Sequence, residues 1–315
     1  MATFITQKLS SMKNKSLTDR RTFVKGASTL ALGTMLLPGC KEHHAADVAD
    51  VAKEVISTKG GLDKFGIQLW TIKDVLPADP LGTIKELAGY GFNQLEGFEG
   101  DQGIFWGQTP KEFKSYLNGL GLEMVSSHCN INENFEQKAA DAAEAGLEYL
   151  ICPWIGPQKS VDAWKEVTDK FNKCGEICKA NGIKFGYHNH AYSFIPFSGM
   201  IPQDYMMDNT DPDLVEHEMD IYWVVTAGVD PIEYLDKYPN RFKLCHIKDR
   251  MKDAGDERLA SCNLGTGIID YPTILSKAKE RGMKYFLMEQ ERYDNTTPME
   301  CAQVGANYLK KIVLA

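Results

Sequence analysis

The sequence predicts a (β/α)₈ barrel on three observations. Eight short apolar runs have strand length, helical stretches lie between many of them, and several of those stretches end in a glycine just before the next run. Eight strand-helix alternations in about 250 residues are the arithmetic of such a barrel. A doubly wound open sheet shares the alternation but would carry a glycine-rich phosphate turn after an early strand, and the sequence has none.

The first 60 residues are built differently. Residues 1–40 resemble a twin-arginine export signal that ends in a lipoprotein processing box. Thr18-Asp19-Arg20-Arg21-Thr22-Phe23-Val24-Lys25 precedes the apolar run Ala27 to Leu37, and Leu37-Pro38-Gly39-Cys40 closes it. The run is about half of the roughly 20 residues that cross a bilayer, so the expected membrane attachment is a lipid on Cys40 alone. The protein is then expected outside the cytoplasm, in the periplasm or on the cell surface. A twin-arginine route carries folded proteins, as a metal or cofactor loaded in the cytoplasm would require. Residues 41–60 are polar and alanine-rich and read as a flexible tether. The barrel domain is expected over 61–315.

In chain order the strand-like runs are 65–70, 92–96, 124–128, 149–152, 183–188, 215–220, 242–246 and 285–289. Helical patterns cover 81–90, 110–120, 135–145, 161–180 and 271–281, and 298–311 closes the chain. Gly91, Gly121, Gly146, Gly182 and Gly282 stand as stop signals.

The net charge of −8 is spread over intermixed acidic and basic residues, so there is no basic stripe to neutralise phosphates and no nucleic-acid partner is expected. Of eight cysteines, seven remain without Cys40, an odd number that implies no disulfide framework. Cys174 and Cys178 share a helix face but have no second pair, so they read as packing residues and not as zinc ligands.

Barrel chemistry sits at the C-terminal ends of the strands. The runs end in Trp70, Glu96, His128, Cys152-Pro153-Trp154, His188-Asn189-His190, Asp220, His246-Ile247-Lys248 and Glu289-Gln290-Glu291. Residues two apart share a strand face, which pairs His188 with His190, Glu218 with Asp220, His246 with Lys248 and Glu289 with Glu291. Imidazole nitrogens with carboxylate oxygens suit Mn²⁺, Zn²⁺, Fe²⁺ or Co²⁺. The expected ligands are His188, Asp220, His246 and Glu289, with His190 as the other choice on strand five. Trp70, Trp106, Trp154 and Trp223 fall at or after strand ends, where flat aromatic faces stack on a substrate ring or cap the core. Glu96 and His128 bind substrate hydroxyls or order loops.

These motifs resemble those of the sugar phosphate isomerase/epimerase superfamily, the TIM barrels related to xylose isomerase, over about Phe65 to Leu309. Tyr187-His188-Asn189-His190 matches a strand-five Glu-Asn-His ending with His188 in place of the glutamate. Asp220-Ile221-Tyr222-Trp223 keeps the strand-six aspartate but has Trp223 where a histidine is usual. His246-Ile247-Lys248-Asp249 matches strand seven, Glu289 stands at the strand-eight ligand, and Asn263-Leu264-Gly265-Thr266-Gly267 looks like the Gly-x-Gly turn before the following helix. The resemblance implies a metal-dependent sugar isomerase or epimerase. Because His188 replaces one of the family's two carboxylates, a lyase or hydratase reaction (dehydration, β-elimination or hydration) on a keto-sugar or keto-glycoside suits the site as well. Glu289 is then base or ligand, and Lys248, His190 and His128 are the candidate acids or hydrogen-bond donors. An exported enzyme without an arginine cluster at the strand ends would act on a non-phosphorylated sugar or keto-sugar. A non-catalytic sugar-binding lipoprotein is the alternative.

Overall fold

A computed structural model describes residues 60–255 and 257–315. The export segment and most of the tether expected above lie outside the described residues.

Eight strands pair in parallel: β1 (Gly66–Gln68), β2 (Gln94–Phe98), β3 (Glu123–His128), β4 (Tyr149–Cys152), β5 (Lys184–His188), β6 (Val215–Asp220), β7 (Phe242–Ile247) and β8 (Tyr285–Met288). They close into a barrel in the order β1-β8-β7-β6-β5-β4-β3-β2. Helices α1 (Pro80–Tyr90), α2 (Pro110–Gly119), α3 (Phe135–Ala145), α4 (Val161–Ala180), α5 (Pro202–Asn209), α6 (Ile221–Thr226), α7 (Pro231–Lys237), α8 (Tyr271–Glu280) and α9 (Pro298–Leu309) occupy the crossovers and the end of the chain.

The local reasons are ordinary helix and strand chemistry. Thr109 and Glu112 form a capping box at α2, as Thr297 and Glu300 do at α9, and proline fills the first helical turn where its missing N–H costs nothing. Gly91 and Gly146 stop α1 and α3 in left-handed conformations, at φ 95° and 85°. Two strand ends differ from expectation. β1 stops at Gln68, whose side chain accepts the Trp70 N–H at 2.9 Å and turns Leu69–Ile72 into a 3₁₀ helix. β2 continues two residues past Glu96 to Phe98.

Between barrel and helices lies one large apolar layer. A separate cluster of Val125, Tyr149, Ile151, Leu244 and Leu287 is also buried. Leu244 and Leu287 precede His246 and Glu289 by two residues, so this cluster forms the floor one layer beneath the strand ends. Register then sets the site above it, placing Asp220 beside His246 and His188 beside Glu218.

Candidate active site

Asp220 ends β6 and caps α6, and its Oδ1 accepts the Trp223 N–H at 2.9 Å. The Asn189 side chain clamps its backbone from both sides, each contact 3.1 Å. The other oxygen, Oδ2, faces His188 Nε2 at 3.3 Å, His246 Nδ1 at 3.5 Å and the Lys248 ammonium at 3.1 Å.

The far nitrogens of the two rings decide what this means. His188 Nδ1 lies 3.2 Å from the carbonyl oxygen of Pro153, and His246 Nε2 lies 2.7 Å from Glu96 Oε1. Both partners only accept, so those nitrogens carry the hydrogens, and in neutral rings His188 Nε2 and His246 Nδ1 are lone pairs aimed at one carboxylate oxygen. Glu289 Oε2 adds a further acceptor 3.4 Å from His246 Nδ1, which is buried and has no hydrogen-bond partner. Acceptors converging in this way require a proton or a cation between them. Spacings of 3.3–3.5 Å are edges of a coordination polyhedron whose bonds are about 2.1 Å, and two nitrogens with carboxylate oxygens suit a divalent ion of the zinc or manganese kind. The side chains present therefore fit such an ion.

Lys248 is the only lysine in this group and is buried, with Nζ 2.7 Å from Glu289 and 2.8 Å from Glu291. Burial works against its charge, but Asp220, Glu289 and Glu291 hold it well above the ordinary lysine value. Burial likewise opposes ionisation of Asp220 and Glu289, and Lys248 holds both well below the carboxylate range. Burial would also discharge His246, yet Glu218 and Glu289 raise it well above the imidazole value. With no metal bound, its Nδ1 takes the proton that the converging carboxylates demand.

A second group lies deeper. Glu96 is fully buried and accepts from Gln68 at 2.7 Å, Ser126 at 2.6 Å and His246. Burial opposes its ionisation, but His128 and His246 bring it down to about 2. His128 Nε2 sits 2.9 Å from Glu218 and 3.3 Å from Glu96. Burial carries His128 down to about 3 and, with Glu96 alongside, pushes Glu218 well above the carboxylate range.

Above both groups opens a cavity of about 430 Å³. Trp70, Phe98, Trp154 and Trp223 form its aromatic walls, and Glu289, Lys248, His128 and His190 present polar groups to it. Trp154 is 56% exposed and Trp70 39%, so both indoles reach solvent at the mouth, with the Lys73 ammonium over the Trp70 ring at 5.2 Å.

The model of the xylose isomerase-like TIM barrel family matches residues 84–312. The chain belongs to that family. An inosose dehydratase of Geobacillus kaustophilus is 24% identical over 272 residues, covering 73% of this chain and 86% of the relative. One from Clostridium perfringens is 29% identical over 219 residues, covering 64% and 68%. The crystal structure of a sugar phosphate isomerase/epimerase from Parabacteroides distasonis superposes with a TM-score of 0.67 at 30% identity, over 80% of this chain and 94% of that one.

In this xylose isomerase-like barrel the expected residues divide into groups. His188, Asp220, His246 and Glu289 come together, with Lys248 in contact. On strand five it is His188 that faces Asp220. His190 instead packs edge-on to Trp154 at 4.5 Å between ring centroids, with Nδ1 unpartnered, and burial and His188 hold it well below the imidazole value. His128, Trp70, Trp154 and Trp223 line the cavity. Glu96 does not: because β2 runs on to Phe98, its carboxylate lies under His246, away from where a substrate hydroxyl would sit. Trp106 packs against Phe98 at 5.1 Å in the protein interior.

The sequence reading did not assign Gln68, Ser126, the Pro153 carbonyl or a role for Glu218 and Glu291. The two glutamates carried a signal, since each shares a strand face with a residue that was selected. The other three had none.

Proposed function

We propose that the chain holds one divalent cation on His188, Asp220, His246 and Glu289 and catalyses removal of the proton next to the carbonyl of a non-phosphorylated keto-sugar, with loss of a β-substituent. When bound, the ion polarises the carbonyl and so acidifies the neighbouring C–H. The observation that carries the elimination reading is the placement of acid and base. Glu289 is ionised, Lys248 is protonated, and the two are 2.7 Å apart on one wall of the cavity. A base that takes the carbon-bound proton and an acid that protonates the leaving oxygen from the same side suit a syn elimination, the reaction class of a dehydratase or lyase. The inosose dehydratase relatives support this reading.

Isomerisation or epimerisation is the second reading, and His190 favours it. It is a neutral imidazole that lines the cavity just after β5, apart from Glu289 after β8, where it can serve a second proton transfer at the same carbon. The cavity's single lysine is already held by three carboxylates, which supports a substrate without phosphate. The aromatic walls suit a sugar ring. The proposed location is outside the cytoplasm, anchored by lipid at Cys40, and a Cys40→Ser chain should then fractionate away from membranes.

The test is turnover of keto-sugars and keto-glycosides in deuterated water by the metal-loaded protein. Elimination yields an unsaturated product, whereas epimerisation yields deuterium at the inverted carbon. Glu289→Gln should lower kcat about 10²- to 10⁴-fold with ligand binding retained. No exchange and no product from ligands that the wild type binds would leave only a binding protein.

A further inference from the structure

His246 turns its two nitrogens to different groups of acceptors. Nε2 faces the deep group and Nδ1 faces Asp220 and Glu289. The deep group, Glu96 with His128, Glu218 and His246, is compact enough to invite a cation of its own, and a cation there would use Nε2. Which nitrogen is free therefore determines which group can take the ion.

Glu96 answers this by how fully it is satisfied. Its Oε1 accepts from Gln68 at 2.7 Å and from His246 at 2.7 Å, and its Oε2 accepts from Ser126 at 2.6 Å. Those donors come from β1, β7 and β3, so the carboxylate is held from both neighbouring strands and from across the barrel. It has no solvent exposure and does not line the cavity. Three of its roughly four lone-pair directions are taken, with His128 Nε2 a further 3.3 Å from Oε1, so it is poorly placed to serve a metal and it demands a hydrogen on His246 Nε2.

We propose that Glu96 is a positioning residue that fixes His246 as the Nε2–H tautomer, so that Nδ1 alone is offered to the cation. The inference rests on the metal reading above and adds to it the device that selects one of two neighbouring groups. An acceptor behind a ligating imidazole sets tautomer and ring orientation and raises ligand basicity. His188 has the neutral counterpart in the Pro153 carbonyl. The two differ in that the charged acceptor adds negative potential behind the ring, so removing it should weaken zinc binding more than geometry alone would.

The experiment uses the full chain with ¹⁵N-labelled histidine, loaded with zinc and read by long-range ¹H–¹⁵N correlation, His246 being assigned by comparison with His246→Gln. The expected signature is a protonated Nε2 and a zinc-bound Nδ1. Glu96→Gln, which keeps the size and one acceptor oxygen, should lower zinc affinity about 10- to 100-fold in chelator competition. Its His246 tautomer signal should become mixed or reversed, which a loss of packing alone would not produce. Zinc on Nε2 in the wild type overturns the assignment, as does a Glu96→Gln chain with unchanged affinity and tautomer. A wild type that binds no zinc, manganese, iron or cobalt overturns the metal reading itself.

Discussion

Asp220 shows how one side chain is divided between fold and site. Oδ1 caps α6 and Oδ2 faces the two histidines. Asn is as good a helix cap as Asp but a far weaker metal ligand. Asp220→Asn should therefore keep its helix content by circular dichroism while zinc affinity, measured by chelator competition, falls at least about 100-fold. His246 carries a second expectation. The carboxylates keep it protonated in the metal-free protein at neutral pH, so a cation must displace that proton. Its pKa is raised, so affinity should rise with pH, by up to about tenfold per unit for one competing proton, and level off above the raised value. Calorimetry in buffers of different ionisation enthalpy should count about one proton released per ion. An affinity independent of pH between 5 and 8 would contradict the tautomer and charge assigned to His246.

Among the elements, the segment after β7 is the one that a single residue organises. Asp249 is buried and accepts the backbone N–H groups of Gly265 at 3.0 Å and Gly267 at 2.9 Å through Oδ2, and of Arg250 and Ile269 through Oδ1. A side chain on Gly267 would meet Asp249 Oδ1 at 2.1 Å and the Arg250 carbonyl at 2.3 Å, so the Gly-x-Gly turn is there for close approach. Gly267→Ala should destabilise the protein by about 1–3 kcal/mol in thermal unfolding, by displacing a buried acceptor from its donors. This turn was legible in the sequence as a motif, and the strands were legible as buried runs. The short helices α5, α6 and α7 were not: they have only 8, 6 and 7 residues, too few for a periodic stripe to stand out. The α6 cap is itself a site residue, so its sequence was read as chemistry and not as a helix start. Glu96 was misplaced for a related reason. Gly97 hides the last two residues of β2 from an apolar-run count, and a residue taken for the strand end lies inside the barrel.

At the scale of the molecule, parallel strands deliver the candidate ligands from β5, β6, β7 and the end of β8 to one face of a closed barrel, over an apolar floor. Position along the strands made that convergence legible from sequence, because every strand end faces the same way. Which atoms meet was not legible, since it depends on the register that sets Asp220 beside His246 and on the carbonyl of Pro153 and the carboxylate of Glu96 behind the rings. The assembly is tested most directly by X-ray absorption at the metal edge of the zinc-loaded full chain. Two imidazole nitrogens with carboxylate oxygens, all at about 2.0–2.2 Å, are expected. A shell of oxygens without imidazole scattering, or zinc that leaves on dialysis, would contradict it.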